Sequence, residues 1–142
     1  MINENFKVTG QVTIQKNGEV VRDIPNTVVT AGKNNIAAVI TDAGAKMTHM
    51  AVGTGTTVVA AGNTTLVNET DRNALSVSGG SPSTNTVVHT AVWAAGDGTG
   101  ALTEAGLFSA SSGGTMNART VFSAVNKGAS DVLTITWTLT IS

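Results

Sequence analysis

The closing stretch DVLTITWTLTI, residues 131–141, constrains the fold of this chain more than any other. Leu133, Ile135, Trp137, Leu139 and Ile141 alternate with Thr134, Thr136, Thr138 and Thr140. Period two is the signature of a strand with one face buried and one open, because successive side chains leave a pleated backbone on opposite sides. The same alternation runs at lower contrast through FKVTGQVTI, EVVRDI, THMAVGT, NALSVS, NTVVHTAVW, EAGLFSA and NARTVFSAV. Turn chemistry separates these runs. The Asn17-Gly18 step predicts a tight hairpin, and GGSPST (79–84), AAGDGTG (94–100), SSGG (111–114) and NKGASD (126–131) read as further turns.

One segment departs from period two. In TAGKNNIAAVITDAG, Ile36, Ala37, Val39 and Ile40 fall at helical spacing, Thr30 stands where a cap belongs and Gly44 lies past the end. This predicts one short helix near residues 32–42. Seven to nine short strands with a single helix predict a mainly β fold: an antiparallel two-sheet β-sandwich, jelly-roll-like, with Phe108, Phe122, Leu133, Ile135, Trp137 and Leu139 in its core. Length suits a single domain over residues 1–142, with the N-terminal hairpin at about 6–24 as an interaction arm.

Composition narrows the function classes. Charged residues are 12% of the chain and net charge is −1, against about 25% charged in an average soluble protein. The 23 threonines supply strand propensity and a wettable surface instead. The eight lysines and arginines are scattered, so no stripe exists to track nucleic-acid phosphates. No apolar run reaches a membrane span, and MINENFKVTG lacks the basic start and apolar centre of a signal peptide. There is no cysteine, hence no disulfide. Low charge points to a surface largely covered by neighbours.

VGTGTTVVAAG (52–62) has glycines but lacks the Gly-Lys-Ser/Thr end of a phosphate loop, so it reads as a strand leaving through a flexible turn. His49 and His89 lack the companions a zinc site needs, so no metal is expected. Glu69, Asp71 and Arg72 in NETDRNA read as an acidic loop rather than a glycosidase pair, since aromatics for sugar stacking are 4% of the chain. In TEAGLFSASSGGTMNART (103–120) only Glu104 and Arg119 are charged, at mirrored places about a glycine-rich turn. Without an accompanying nucleophile or base they read as a structural ion pair that fixes strand register. No catalytic residue, cofactor or enzymatic activity is expected.

The order VTAGKNNIAAVI, MAVGTGTT, TTLVNETDR, LTEAGLFSASSGGTMNARTVF and DVLTITWTLTI resembles small tailed-bacteriophage virion proteins, over about residues 25–142. The most specific pieces are Glu104-Ala105-Gly106-Leu107-Phe108, Met116-Asn117-Ala118-Arg119 and the Trp137 strand. The resemblance implies a particle component rather than an enzyme, exposed on the virion after assembly in the bacterial cytoplasm. A capsid decoration (cement) protein is the first expectation. It would bind copies of itself as a dimer or trimer and other virion proteins, the major capsid protein foremost, with no nucleic acid and no membrane. A tail-fibre, collar or baseplate component is the alternative, and a carbohydrate-binding module a third class. Expected contact regions are the loops at 53–63, 79–85 and 94–101 and the N-terminal hairpin.

Overall fold

The computed structural model describes residues 5–142. Two antiparallel five-stranded sheets face each other. The elements are β1 (Val8–Lys16), β2 (Glu19–Pro25), β3 (Thr27–Val28), α1 (Thr30–Val39), β4 (His49–Gly53), β5 (Glu69–Ala74), β6 (Ser81–Ser83), β7 (Thr86–Trp93), β8 (Gly100–Phe108), β9 (Met116–Lys127) and β10 (Leu133–Ile141). Sheet A has the order β2-β1-β10-β7-β6, and sheet B the order β3-β9-β8-β4-β5. The fold is therefore mainly β, with two sheets and one short helix, consistent with a sandwich.

The alternation in 131–141 is realised as the central strand of sheet A. Leu133, Ile135, Trp137 and Leu139 point into the main core with Val12, Ile14, Ala91 and Trp93 from the flanking strands. Met50, Val52, Leu102, Leu107 and Phe122 meet them from sheet B. Phe108 is buried elsewhere. It joins Val29, Ala51, Leu66 and Met116 in a second, smaller core on the outer face of sheet B. The alternation of Leu107 and Phe108 explains the split, since neighbouring residues on a strand serve opposite faces.

Where β2 of sheet A runs beside β9 of sheet B, cations bridge the two sheets. Beyond β3, strand β9 has no further partner, so carbonyls in its second half lack a ladder. Arg22 of β2 donates from Nε to the Ser123 carbonyl (3.0 Å) and from Nη2 to the Ala124 carbonyl (2.8 Å), and Lys16 Nζ donates to the Asn126 carbonyl (3.2 Å). Thr120 Oγ1 adds a bond to the Pro25 carbonyl at 2.9 Å. Side chains thus do between the sheets what backbone pairing does within them.

Several predicted boundaries move. The helix spans Thr30–Val39 rather than 32–42. Thr30 is inside it, not its cap: Val29 holds the cap position without a side-chain bond, and the Thr30 N–H donates to the Ala61 carbonyl at 2.8 Å. The helix ends through left-handed Asp42 (φ 59°), so Gly44 is not the terminator; it is small because a Cβ there would lie 2.5 Å from the Asn35 carbonyl oxygen. The strand expected in NALSVS lies earlier, at Glu69–Ala74, so the supposed acidic loop is the edge strand of sheet B. Residues after it cross between sheets: the Leu75 N–H bonds Thr48 O and the Ser76 N–H bonds Thr90 O, each within 2.9 Å. The turn read at 79–84 contains the short edge strand β6. The hairpin at Asn17-Gly18 (φ 53° and 83°) is as expected, with both residues left-handed.

Candidate functional site

Strands β8 and β9 carry Glu104 and Arg119 onto the outer face of sheet B. Glu104 stands opposite Val121 and Arg119 opposite Gly106, so the two are diagonal neighbours. Their side chains are fully buried, at 0% exposure each, with Nη2 and Oε2 2.8 Å apart. What buries them is the connection between β4 and β5. Gly53 and Glu69 are paired neighbours, so a two-residue turn would join these strands. The chain instead makes an excursion over residues 54–68 and folds back across the sheet. The loop closes at its neck, where the Thr54 N–H donates to Asn68 O at 3.0 Å and Asn68 Nδ2 donates to Thr54 Oγ1 at 2.6 Å. This is an Ω-loop.

The ion pair holds that loop. Glu104 Oε1 accepts from the N–H groups of Gly55 (2.9 Å) and Asn68 (2.7 Å), and Oε2 from Val67 N–H (3.0 Å) and Arg119 Nε (3.1 Å). Arg119 donates from Nη1 to Asn63 Oδ1 and from Nη2 to the Thr57 carbonyl, both at 3.0 Å. Thr103 Oγ1 adds a bond to Gly55 O at 2.7 Å. Gly55 must lack a side chain, because a Cβ would sit 2.5 Å from Glu104 Oε1. Apart from the bonds within the pair, these hydrogen bonds all run to backbone amides, a carbonyl or a side-chain amide of the loop, so the pair fixes the loop in place. The loop in turn caps the second core through Leu66 and presents Val58 and Val67 outward.

Burial alone would raise the Glu104 pKa. The N–H groups of Asn68 and Val67, the Arg119 guanidinium and the Gly55 N–H outweigh it and hold the carboxyl below its ordinary 4.5. Burial pulls the His89 ring below its ordinary 6.5, partly offset by the backbone of Trp137 and Gly79, although Nδ1 meets no partner at hydrogen-bond geometry. In both cases the unfolded chain takes up the proton first. Stability is complete above the ordinary value and is lost as pH falls through it towards the folded pKa. Melting temperature measured against pH is therefore expected to drop in two stages, the first beginning below 6.5 and the second below 4.5. His89→Leu should remove only the first stage.

The other candidates do not converge. His49 lies on β4 of sheet B, with Nδ1 2.8 Å from Thr48 Oγ1, while His89 lies on the inner face of β7 in sheet A. Among the described residues no three His, Cys, Asp or Glu side chains group as metal ligands. Likewise, no described helix is long and apolar enough to cross a membrane. Arg72, expected in an acidic loop with Glu69 and Asp71, is instead a second clamp. It pairs with Glu69 at 2.6 Å, lies over the Phe108 ring at 3.7 Å, and donates to the carbonyls of Ala110 and Gly113 at 2.9 Å, tying β5 to the β8–β9 turn. Its lone basic position in NETDRNA was the signal available. Lys127 is buried as well, with Nζ on the Ala94 carbonyl at 2.9 Å.

The end of the sandwich beneath α1 is less well closed. Two apolar hollows of about 210 and 340 Å3 adjoin there, sharing Val8 and Ile36 in their walls. Phe6 (71% exposed) and Ile40 (84% exposed) flank the outer one, and Lys33 and Lys46 also line the walls. Compared with protein-family models, curated proteins and solved structures, the chain matches none.

Proposed function

We propose that this protein is a structural component of a tailed-bacteriophage virion and that it decorates the capsid, binding its own copies and the major capsid protein without catalysing a reaction. The observation that carries this reading is the outer face of sheet A. Rows of side chains run across its three central strands: Thr9–Thr140–Thr86, Gln11–Thr138–Val88, Thr13–Thr136–Thr90 and Gln15–Thr134–Val92. No charge interrupts them. Asp23, at their border, is occupied by hydrogen bonds from Gln11 Nε2 (2.7 Å) and Thr13 Oγ1 (3.3 Å). Depletion of charge is what distinguishes the centre of a protein interface from ordinary surface. The sequence resemblance to phage virion proteins supports the same reading.

Quantitative mass spectrometry of purified particles, scaled to the major shell protein, tests it. Hundreds of copies per particle are expected; a few to a few dozen would move the assignment to the tail, and absence from the particle would end it. Thr136→Lys tests the face itself. A lysine there should cost no more than about 1 kcal/mol of stability, the span of strand propensities, since Thr136 is half-buried on the central strand. It should weaken particle binding by roughly tenfold or more, because the charge would be buried without a partner. Undiminished binding would show that another face makes the contact.

A further inference from the structure

We propose that the hollow beneath α1 binds the acyl chain of a long-chain carboxylate. This inference stands apart from the virion reading and does not depend on it. Its walls are apolar: Val8, Ile36, Val39, Met47, Leu139 and Ile141 come from β1, the helix, the segment before β4, and β10. The outer lobe continues from it past Val8 and Ile36 to Phe6, Ala37 and Ile40. The two lobes, about 210 and 340 Å3, suit a small molecule, whose pockets typically span about 300–1,000 Å3. Phe6 and Ile40 gain little from the fold as they stand, being 71% and 84% exposed, and an acyl chain in the slot would cover apolar surface there.

Charge selects the head group. Each lobe has a lysine in its wall, Lys46 in the inner and Lys33 in the outer, and neither wall contains an aspartate or glutamate. Among the described residues the salt bridges are Arg72–Glu69 and Arg119–Glu104, so neither lysine pairs with a described carboxylate. The polar groups deeper in the inner lobe are already neutral or engaged. His89 is 4% exposed and kept uncharged by its burial, and Asn35 bonds Asn117 Oδ1 (3.1 Å) and the Ala45 carbonyl (2.7 Å). An apolar slot with lysines on its walls and no acid fits a chain ending in an anion and disfavours one ending in a cation.

Calorimetric titration of the full chain with dodecanoate, dodecyltrimethylammonium and dodecanol, each below micelle formation, tests this. Saturable binding of dodecanoate is expected, strongest of the three, falling roughly fourfold for each methylene removed from the chain. The exposed double substitution Lys33→Glu/Lys46→Glu should keep the melting temperature, weaken dodecanoate roughly tenfold and favour the cation. Absence of saturable binding, equal affinity for anion and cation, or an unchanged affinity in the charge-reversed variant would overturn the proposal. So would a concentration-dependent dimer that protects Ile40 and excludes dodecanoate, since the slot would then belong to a second copy.

Discussion

Arg119→Ala is expected to lower stability by about 3–5 kcal/mol, the cost of leaving one member of a buried pair without its partner. For a chain of this size that is a fall in melting temperature of roughly 10–20 °C. The loss is not confined to Coulomb attraction. Thr57 O and Asn63 Oδ1 lose their donors, and Glu104, 0% exposed, is left with three backbone N–H groups and no cation to offset its burial. Removing both charges should not restore the protein. In Glu104→Leu/Arg119→Met the N–H groups of Gly55, Val67 and Asn68 would all face a side chain that accepts nothing. Limited proteolysis separates this mechanism from general destabilisation: cleavage should appear first within residues 54–68, at temperatures where the sheets remain folded. A variant that melts with the wild type and resists protease there would show that the loop holds itself.

The second large effect inverts a familiar rule. Glycine to alanine inside a helix ordinarily stabilises by about 1 kcal/mol. Gly32→Ala should instead destabilise by roughly 2–3 kcal/mol, the range for overpacked interiors. A Cβ at Gly32 would lie 2.1 Å from the Asn117 carbonyl oxygen, and that atom belongs to the backbone of β9, which cannot swing aside. The helix would have to lift. With it would go the bond from Val29 N–H to Asn117 O at 3.1 Å and the Asn35–Asn117 amide contact. Asn34→Ala, two residues away on the exposed side of α1, is the control and should be neutral or slightly stabilising. Thermal melts of the two variants suffice; a stable Gly32→Ala protein would mean that α1 can shift on the sheet without penalty.

What could be read from the chain alone depended on how far each signal reached along the backbone. The Thr-X-Thr run of β10 repeats its pattern over nine residues, and Asn17-Gly18 carries its turn in two adjacent residues. Both were legible because the cause is local. Strands β3 and β6, of two and three residues, are too short to show a period and exist because a neighbour offers them a ladder. The helix starts earlier than its sequence suggested because the N–H of Thr30 itself is met by the carbonyl of the distant Ala61, so Thr30 enters the helix instead of capping it. For the site, the spacing of Glu104 and Arg119 about a turn pointed to a pair. Nothing in that spacing revealed that the pair grips residues 55–68, because those partners lie 36 to 62 positions away. Arg72 and Phe108 are likewise separated by strand order, not by sequence, and meet only because β5, β4 and β8 are laid side by side.

The place of β10 in the middle of sheet A has a consequence for how the polypeptide emerges during synthesis. Sheet B is assembled from segments ending at Lys127 and can be complete before residues 133–141 leave the ribosome. Sheet A cannot, since β1 and β7 touch only through the strand made after both of them. Until it arrives, the inner faces of β1 and β7 and the core side of sheet B stand open to water or to a chaperone. The nascent chain therefore waits as half a sandwich and is zipped shut when β10 is made.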